Sequence, residues 1–303
     1  MTYLIEEANV LKENKVEQCS IVVKDTNIDY ISNSITRFNF MRMNLSNYLL
    51  TPGHVMMNFS FANNLPFHEF KETMKTHYLQ KGCTTVIVIC DVSHERELKN
   101  KIEKTRHYLL NSPIDFYIGV KISLKALTPS FIRACKKMKI PVVIVDINNE
   151  QELLTVPWGW IKEAFHPYFF PLIPRWQQRE KSIFNGNKHI HLWEELMSNH
   201  GIPTVNSCPE EHVPLSMDLL KKMGIYPAKG DIRIRGMLDY NLYQMEEMSY
   251  SVEGKPMFDY NLHTPTLTMH KGKFLKVGAE VFFYPGFGSE CKVILPGHFV
   301  SSR

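Results

Sequence analysis

Residues 51–61 read TPGHVMMNFSF, and the character of the chain changes there. Before it, YLIEEANVL, QCSIVVKD, NIDYISNS and MRMNLSNYLLTPG alternate apolar and polar residues with period two, broken by Asn-, Asp- and Lys-rich turns. That pattern predicts an antiparallel opening of short strands over residues 3–50. After it, HVMMNFSF is a short apolar run, and PFHEFKETMKTHYLQKG predicts a helix ending at Gly82. CTTVIVICD is nearly all apolar, as a parallel strand covered on both faces requires. A helix over SHERELKNKIEKTRHYLLN, with Ser93 as its N-cap, leads to strand IDFYIGVKIS, helix TPSFIRACKKMK and strand IPVVIVDI. Four strands alternating with three helices, over 54–147, predict a (β/α) barrel or an open parallel sheet.

Residues 148–200 are harder to divide, because prolines and tryptophans crowd VPWGWIKEAFHPYFFPLIPRW. HLWEELMSNHG and PLSMDLLKKMG predict helices, with IPTVNS a short strand between them. After residue 224 β alternation returns. Neither β end is large enough to fold alone, so the two are expected to pair. The fold class expected is α/β: a truncated or distorted TIM-like barrel over 51–224, with a composite β-sandwich built from 1–50 and 225–303.

The 303 residues are 44% hydrophobic and 22% charged, enough for a sizeable core. A net charge of +4 is spread along the chain, and RACKKMK reads as a solvated helix face, so nucleic acid is not an expected partner. No run is long and apolar enough for a membrane span, and the first residues lack a signal-peptide pattern. The six cysteines have no regular spacing and read as free thiols. A cytoplasmic protein is expected.

The order of elements and several motifs resemble the amidohydrolase superfamily, in its dihydroorotase, allantoinase and hydantoinase branch. SIVVKDTNIDYIS leading to LLTPGHV resembles that branch's N-terminal strands and the entry to its first barrel strand. LLKKMGIYPAKGDIRIRGMLDYNLY resembles its return from barrel to sandwich, with Gly224, Pro227, Lys229, Gly230, Gly236 and Asp239 on the pattern. TMHKGKFLKVG resembles its closing strands. The resemblance implies hydrolysis of ring amides by metal-activated water, with a carboxylate as proton shuttle. The metal ligands would lie at the C-terminal ends of the barrel strands.

At the ligand positions the resemblance fails. Asn58 and Ser60 stand where the family carries His-x-His, and neither replaces imidazole on a transition metal. His54, four residues earlier, reads as structural. Lys121 matches the lysine whose carbamate bridges two metals, but an ion pair with Asp91 or Asp146 accounts for a lysine in an apolar strand. Val145, followed by Asp146, takes the place of the fifth-strand histidine, and the sixth-strand histidine has no counterpart. Asn206 and Ser207, ahead of Cys208 and Pro209, stand for the family's Asp-His-Ala-Pro, and asparagine cannot shuttle a proton.

Other constellations are weaker. His189-x-His191 with Glu194 and Glu195 falls in a pre-helix loop by the resemblance, and zinc there is disfavoured. Cys208 near His200 or His212 is a thin case for a thiol nucleophile. GFGSE (286–290) is a turn. The aromatic and methionine stock reads chiefly as core.

The expectation is a pseudoenzyme without a metal: a binding, scaffold or regulatory protein with a residual cleft of Asn58, Ser60, Asp91, Lys121, Asp146, Asn206 and Ser207. Its partners would be a small molecule in the cleft, and either a second copy or an enzyme it supports. The alternative is a hydrolase of cyclic amides or other non-peptide C–N bonds, with zinc as its cofactor.

Overall fold

The computed structural model describes residues 2–12, 15–35, 39–61, 65–177, 188–247, 249–250, 256–257 and 263–294. Period-two alternation gives β1 (Thr2–Lys12), β2 (Lys15–Lys24), β3 (Asn27–Ser32), β4 (Met41–Asn44) and β5 (Tyr48–Pro52). β1, β2 and β3 are antiparallel neighbours, but β4 and β5 both pair parallel with β1, against the expected antiparallel opening. Alternation fixes which face a strand buries, not which neighbour it takes.

The α/β rhythm follows as expected. β6 (His54–Asn58) leads to α1 (Phe67–Thr73), which widens into a π-helical turn over Met74–Leu79 and stops at Gly82. Then come β7 (Cys83–Asp91), α2 (Leu98–Tyr108), β8 (Asp115–Ser123), α3 (Pro129–Lys137) and β9 (Val143–Ile147). Ser93 does not cap α2; a 3-10 turn over Glu95–Glu97 intervenes. Thr128 does cap α3, its hydroxyl accepting the N–H of Phe131.

The proline- and tryptophan-rich stretch resolves into α4 (Glu150–Thr155), α5 (Trp158–Phe165) and β10 (Leu172–Trp176). β10 is parallel to β9, the next strand position, which the sequence left blank. The parallel sheet therefore runs β10-β9-β8-β7-β6. α6 (Lys188–His200) and α7 (Met217–Met223) follow, with Ser216 capping α7 and Gly224 ending it in the left-handed region.

One segment between α6 and α7 touches both edges of this sheet. Thr204 bridges to Leu172 of β10, and Pro214 bridges to Met56 of β6, where Leu215 N–H also bonds Val55 O at 2.8 Å. The expected strand IPTVNS is thus a single bridge. It belongs to a strap, residues 202–216, that ties the edges of a curled sheet together.

The chain ends meet in a second, mixed sheet. β11 (Tyr240–Gln244) joins β5 antiparallel, with Tyr240 opposite Pro52. The short pair β12 (Ser249–Tyr250) and β13 (Pro256–Met257) stands apart, and β14 (Leu267–His270), β15 (Lys273–Val277) and β16 (Glu280–Val281) extend the sheet outward. The sheet bends back on itself: Arg235 N–H bonds Ile28 O, and Leu238 N–H bonds Thr26 O, so the residues leading into β11 lie along the edge at β3. Ile5, Ile21 and Ile28 from one chain end and Leu238, Tyr240 and Met269 from the other form one buried apolar cluster.

Residues 284–291 seal the underside of the parallel sheet. Phe116 N–H bonds Ser289 O and Cys291 N–H bonds Phe116 O, where β8 begins ahead of β9. GFGSE is indeed a turn, with Gly286 at φ 72°. A Cβ on Gly288 would lie 1.8 Å from Ile114 O. Gly288→Ala is therefore expected to cost about 1–3 kcal/mol by forcing the two backbones apart, read as a lowered urea midpoint with unchanged slope.

Candidate functional site

Ligands of open α/β sheets collect at the carboxyl ends of the strands. Four neighbouring strands carry a charged residue there: Asp91 on β7, Lys121 on β8, Asp146 on β9 and Arg175 on β10. The signs alternate. Lys121 Nζ lies 2.6 Å from Asp91 and 3.8 Å from Asp146, and the Arg175 guanidinium grips both Asp146 oxygens at 2.6 and 3.1 Å. Lys121 and Asp146 are 16% and 14% exposed, whereas Asp91 is 62% exposed. The Lys121 ion pair foreseen from sequence thus exists with both carboxylates. Arg175 was missed; its signal, an arginine at the end of an apolar run, lay hidden among prolines.

The other residues of the expected cleft are engaged elsewhere or turned outward. Asn58 is fully buried. Its amide donates to the Ser60 hydroxyl at 3.0 Å and the Tyr78 hydroxyl at 2.8 Å, and its carbonyl accepts the N–H groups of Ser60 and Phe61. Asn58 staples the turn that follows β6, and Ser60 is part of that turn. Asn206 and Ser207 are exposed on the strap.

The strap brings Glu211 and His212 close to the end of β6 and the π-helical turn. The Glu211 carboxylate accepts the Phe59 N–H, and the His212 ring stacks on His77 with centroids 4.6 Å apart. Cys208, half-buried, has its thiol pushed up to about 11 by burial, so it is protonated and a poor nucleophile near neutrality. His189 and His191 lie inside α6, not in a loop before it. Two residues apart on a helix, their rings diverge, and they meet different carboxylates, Glu150 and Glu194. His54 is buried and bonded through Nε2 to the Tyr243 hydroxyl at 2.6 Å, a structural role.

A second charged cluster sits at the opposite, amino end of β8, buried between the two sheets. Lys229 Nζ lies 2.7 Å from Asp115 and 2.7 Å from Asp239. His270 Nδ1 bonds Asp239 at 2.9 Å, while its Nε2 is 3.7 Å from Asp115. Asp239 also accepts the Lys271 N–H, and Asp115 accepts the Ser289 N–H and the Lys271 ammonium. Burial pushes both carboxyls up, but the hydrogen bonds and charges of His270 and Lys229 outweigh it. Asp239 is held at about 2, and Asp115 lies well below the usual range. Burial likewise opposes charge on His270, and the two carboxylates reverse it, so its value is raised above 6.5.

Neither cluster offers a fitting metal site. Asp115, Asp239 and His270 are close enough together to hold an ion. The Lys229 ammonium, however, already lies at hydrogen-bond distance from both carboxylates, where a cation would sit. At the strand ends, Lys121 between two carboxylates is poorly placed to become an anionic carbamate, and Asp146 is committed to Arg175. Among the described residues no imidazole is paired with them there.

No family model matches the sequence, and no curated protein matches it. Solved structures do match. The chain is similar to the L-hydantoinase (dihydropyrimidinase) from Arthrobacter aurescens, with a TM-score of 0.69 at 11% identity, over 96% of this chain and 100% of that one. It is also similar to a D-hydantoinase, TM-score 0.66 at 11% identity, over 98% and 100% of the two chains. A dihydropyrimidinase from Brevibacillus agri follows at 0.59 and 12%, over 97% and 99%. At such identities the likeness is one of fold: a mixed α/β chain with a curled parallel sheet and a separate composite sheet.

Lys229→Met is expected to cost about 3–5 kcal/mol, because it strands two buried carboxylates, and urea unfolding measures it. Carboxyls with depressed values add stability that is complete above their ordinary 3.8 and drains as pH falls toward about 2. His270, with a raised value, adds stability that is complete below its ordinary 6.5 and is lost as pH rises through its folded value. The cluster's own contribution, read at each pH as the difference in urea midpoint between the native chain and Lys229→Met, is expected to be highest between those two ordinary values and to decline on both sides.

Proposed function

We propose that this chain is an amidohydrolase-like protein without metal-dependent catalysis, which binds a small polar molecule at its strand-end cleft and acts as a binding, scaffold or regulatory protein. On this reading the curled sheet is a TIM-like barrel short of strands, occupying 51–224. The composite sheet is the sandwich of the same plan, built from 1–50 and 225–303. The carrying observation is the row Asp91, Lys121, Asp146 and Arg175 at the ends of four parallel strands. Alternating partly buried charges can hold a polar ligand through charge-assisted hydrogen bonds, yet they supply neither imidazole ligands nor an uncommitted carboxylate for a metal. Asp91, the exposed member, can swing off Lys121 to admit a ligand. A second copy of the chain, or an enzyme that it supports, is the partner this role requires, in the cytoplasm. Among the described residues no helix is long and apolar enough to cross a membrane.

A second reading rests on the fold likeness to hydantoinases: a hydrolase of cyclic amides or other non-peptide C–N bonds with a non-standard site, zinc included. There Lys121 and Asp146 would be required for turnover.

Untagged protein purified with zinc and bicarbonate, analysed by elemental mass spectrometry, is expected to carry only substoichiometric metal and to leave hydantoin and dihydrouracil intact. A full equivalent of zinc that disappears in Lys121→Ala, or turnover abolished by Asp146→Asn, overturns the first reading in favour of the second.

A further inference from the structure

The strap is fastened at two ends that differ in kind. At β10 the fastening is made of neutral groups: Leu172 N–H bonds Pro203 O at 3.0 Å, and the Thr204 hydroxyl accepts the Trp193 indole N–H at 2.7 Å and donates to Leu172 O at 2.6 Å. At β6 ionisable side chains support the backbone bond from Leu215 to Val55. Glu211 accepts the Phe59 N–H, the Lys81 ammonium donates to His212 O at 3.2 Å, and the His212 ring lies against His77 with the two planes 21° apart. The groups facing His212 are His77, Tyr78 and Lys81 from the π-helical turn and the residues after it, and Glu211 from the strap itself. Tyr78 stays neutral, since burial raises its value, and its hydroxyl is bonded to the Asn58 amide. A proton on His212 is opposed from several directions. The ring is half-buried, and among the described residues its Nδ1 has no hydrogen-bond partner, so a proton there makes a buried donor without an acceptor. Burial, helped by His77 and Lys81, outweighs the attraction of Glu211 and holds the imidazole below its ordinary 6.5. His212 also sits at φ 63°, a conformation that a released chain has no reason to keep.

We propose that the strap is a pH-sensitive latch, released from β6 when His212 takes up a proton and kept on β10 by Thr204. Cys208, midway along it, lies near enough to Arg175, Asp146 and Lys121 to sense their charges, so release at β6 also changes access to the strand ends. The latch is complete above the ordinary 6.5 of a released histidine and weakens as pH falls toward the lower value His212 has in place. It operates whatever the cleft binds, and so does not rest on the function proposed above.

The test is hydrogen–deuterium exchange on the full chain, expressed as protection relative to the free-chain rate at each pH. Between about pH 7.5 and about pH 5, protection of the Leu215 N–H and its neighbours in the strap is expected to fall about tenfold, while the amides of α3 keep theirs. His212→Asn, a residue type that tolerates the left-handed backbone, should hold the strap's protection level across that range. His77→Phe, which keeps a ring to stack on but no charge, should shrink the change. If His212→Asn loosens the strap at every pH, the native chain decides by nuclear magnetic resonance of the imidazole Cε1–H. There His212 should titrate below 6.5, with a midpoint matching the loss of strap protection. Strap protection that ignores pH, that falls equally in a well-latched His212→Asn, or that falls only together with α3, overturns the proposal, as does a His212 midpoint at or above 6.5.

Discussion

One ammonium group between two carboxylates holds the two sheets of this protein to each other. Asp115 opens β8 of the parallel sheet, and Asp239 directly precedes β11 of the mixed sheet. Lys229, in the segment joining α7 to β11, lies at equal distance from both. His270 from the end of β14 and Ser289 from the C-terminal turn complete the set. Charges this deeply buried are tolerated only when paired and hydrogen-bonded, so each element has to arrive in register for any of them to be stable. The Lys229, Gly230 and Asp239 pattern noted in the sequence therefore has an architectural meaning here: it positions a buried weld between the two sheets.

Much of the fold was legible because the period of the apolar pattern changes where the architecture changes. Four strands and three helices between 54 and 147 stand where expected. Pairing partners were not legible, since alternation carries no record of a neighbour, and β4 and β5 run parallel to β1. β10 escaped because prolines interrupt its run. At the candidate site, Asp91, Lys121 and Asp146 could be read as strand-end charges. Arg175 required knowing that β10 exists. Asn58 carried the right residue type for a buried turn staple, a role that only its four hydrogen bonds reveal. Asp115 stands at the start of an apolar strand, and nothing local betrays its depth.

The two ends of β6 present different chemistry. Its carboxyl end lies near a ladder of alternating charge, and its amino end forms part of a cavity shared with the strap and α7. The strap serves both. Glu211 accepts the Phe59 N–H at one end, and Pro214 and Leu215 pair with Met56 and Val55 nearer the other. A short segment thus sets the curl of the parallel sheet and forms part of the surroundings of both places.

The composite sheet also determines how this protein is born. β5 finds its partner β11 only when Tyr240 has been made, about 190 residues after Pro52. At ribosomal speeds of about 5–20 residues per second, that wait is on the order of ten to forty seconds. Throughout it, β1, β2, β3 and β5 stand with the edge of β5 unpaired, a template for any other extended segment nearby. The nascent chain therefore has every reason to complete its parallel sheet first and to recruit its own beginning last, a vectorial order written into the pairing of β5 with β11.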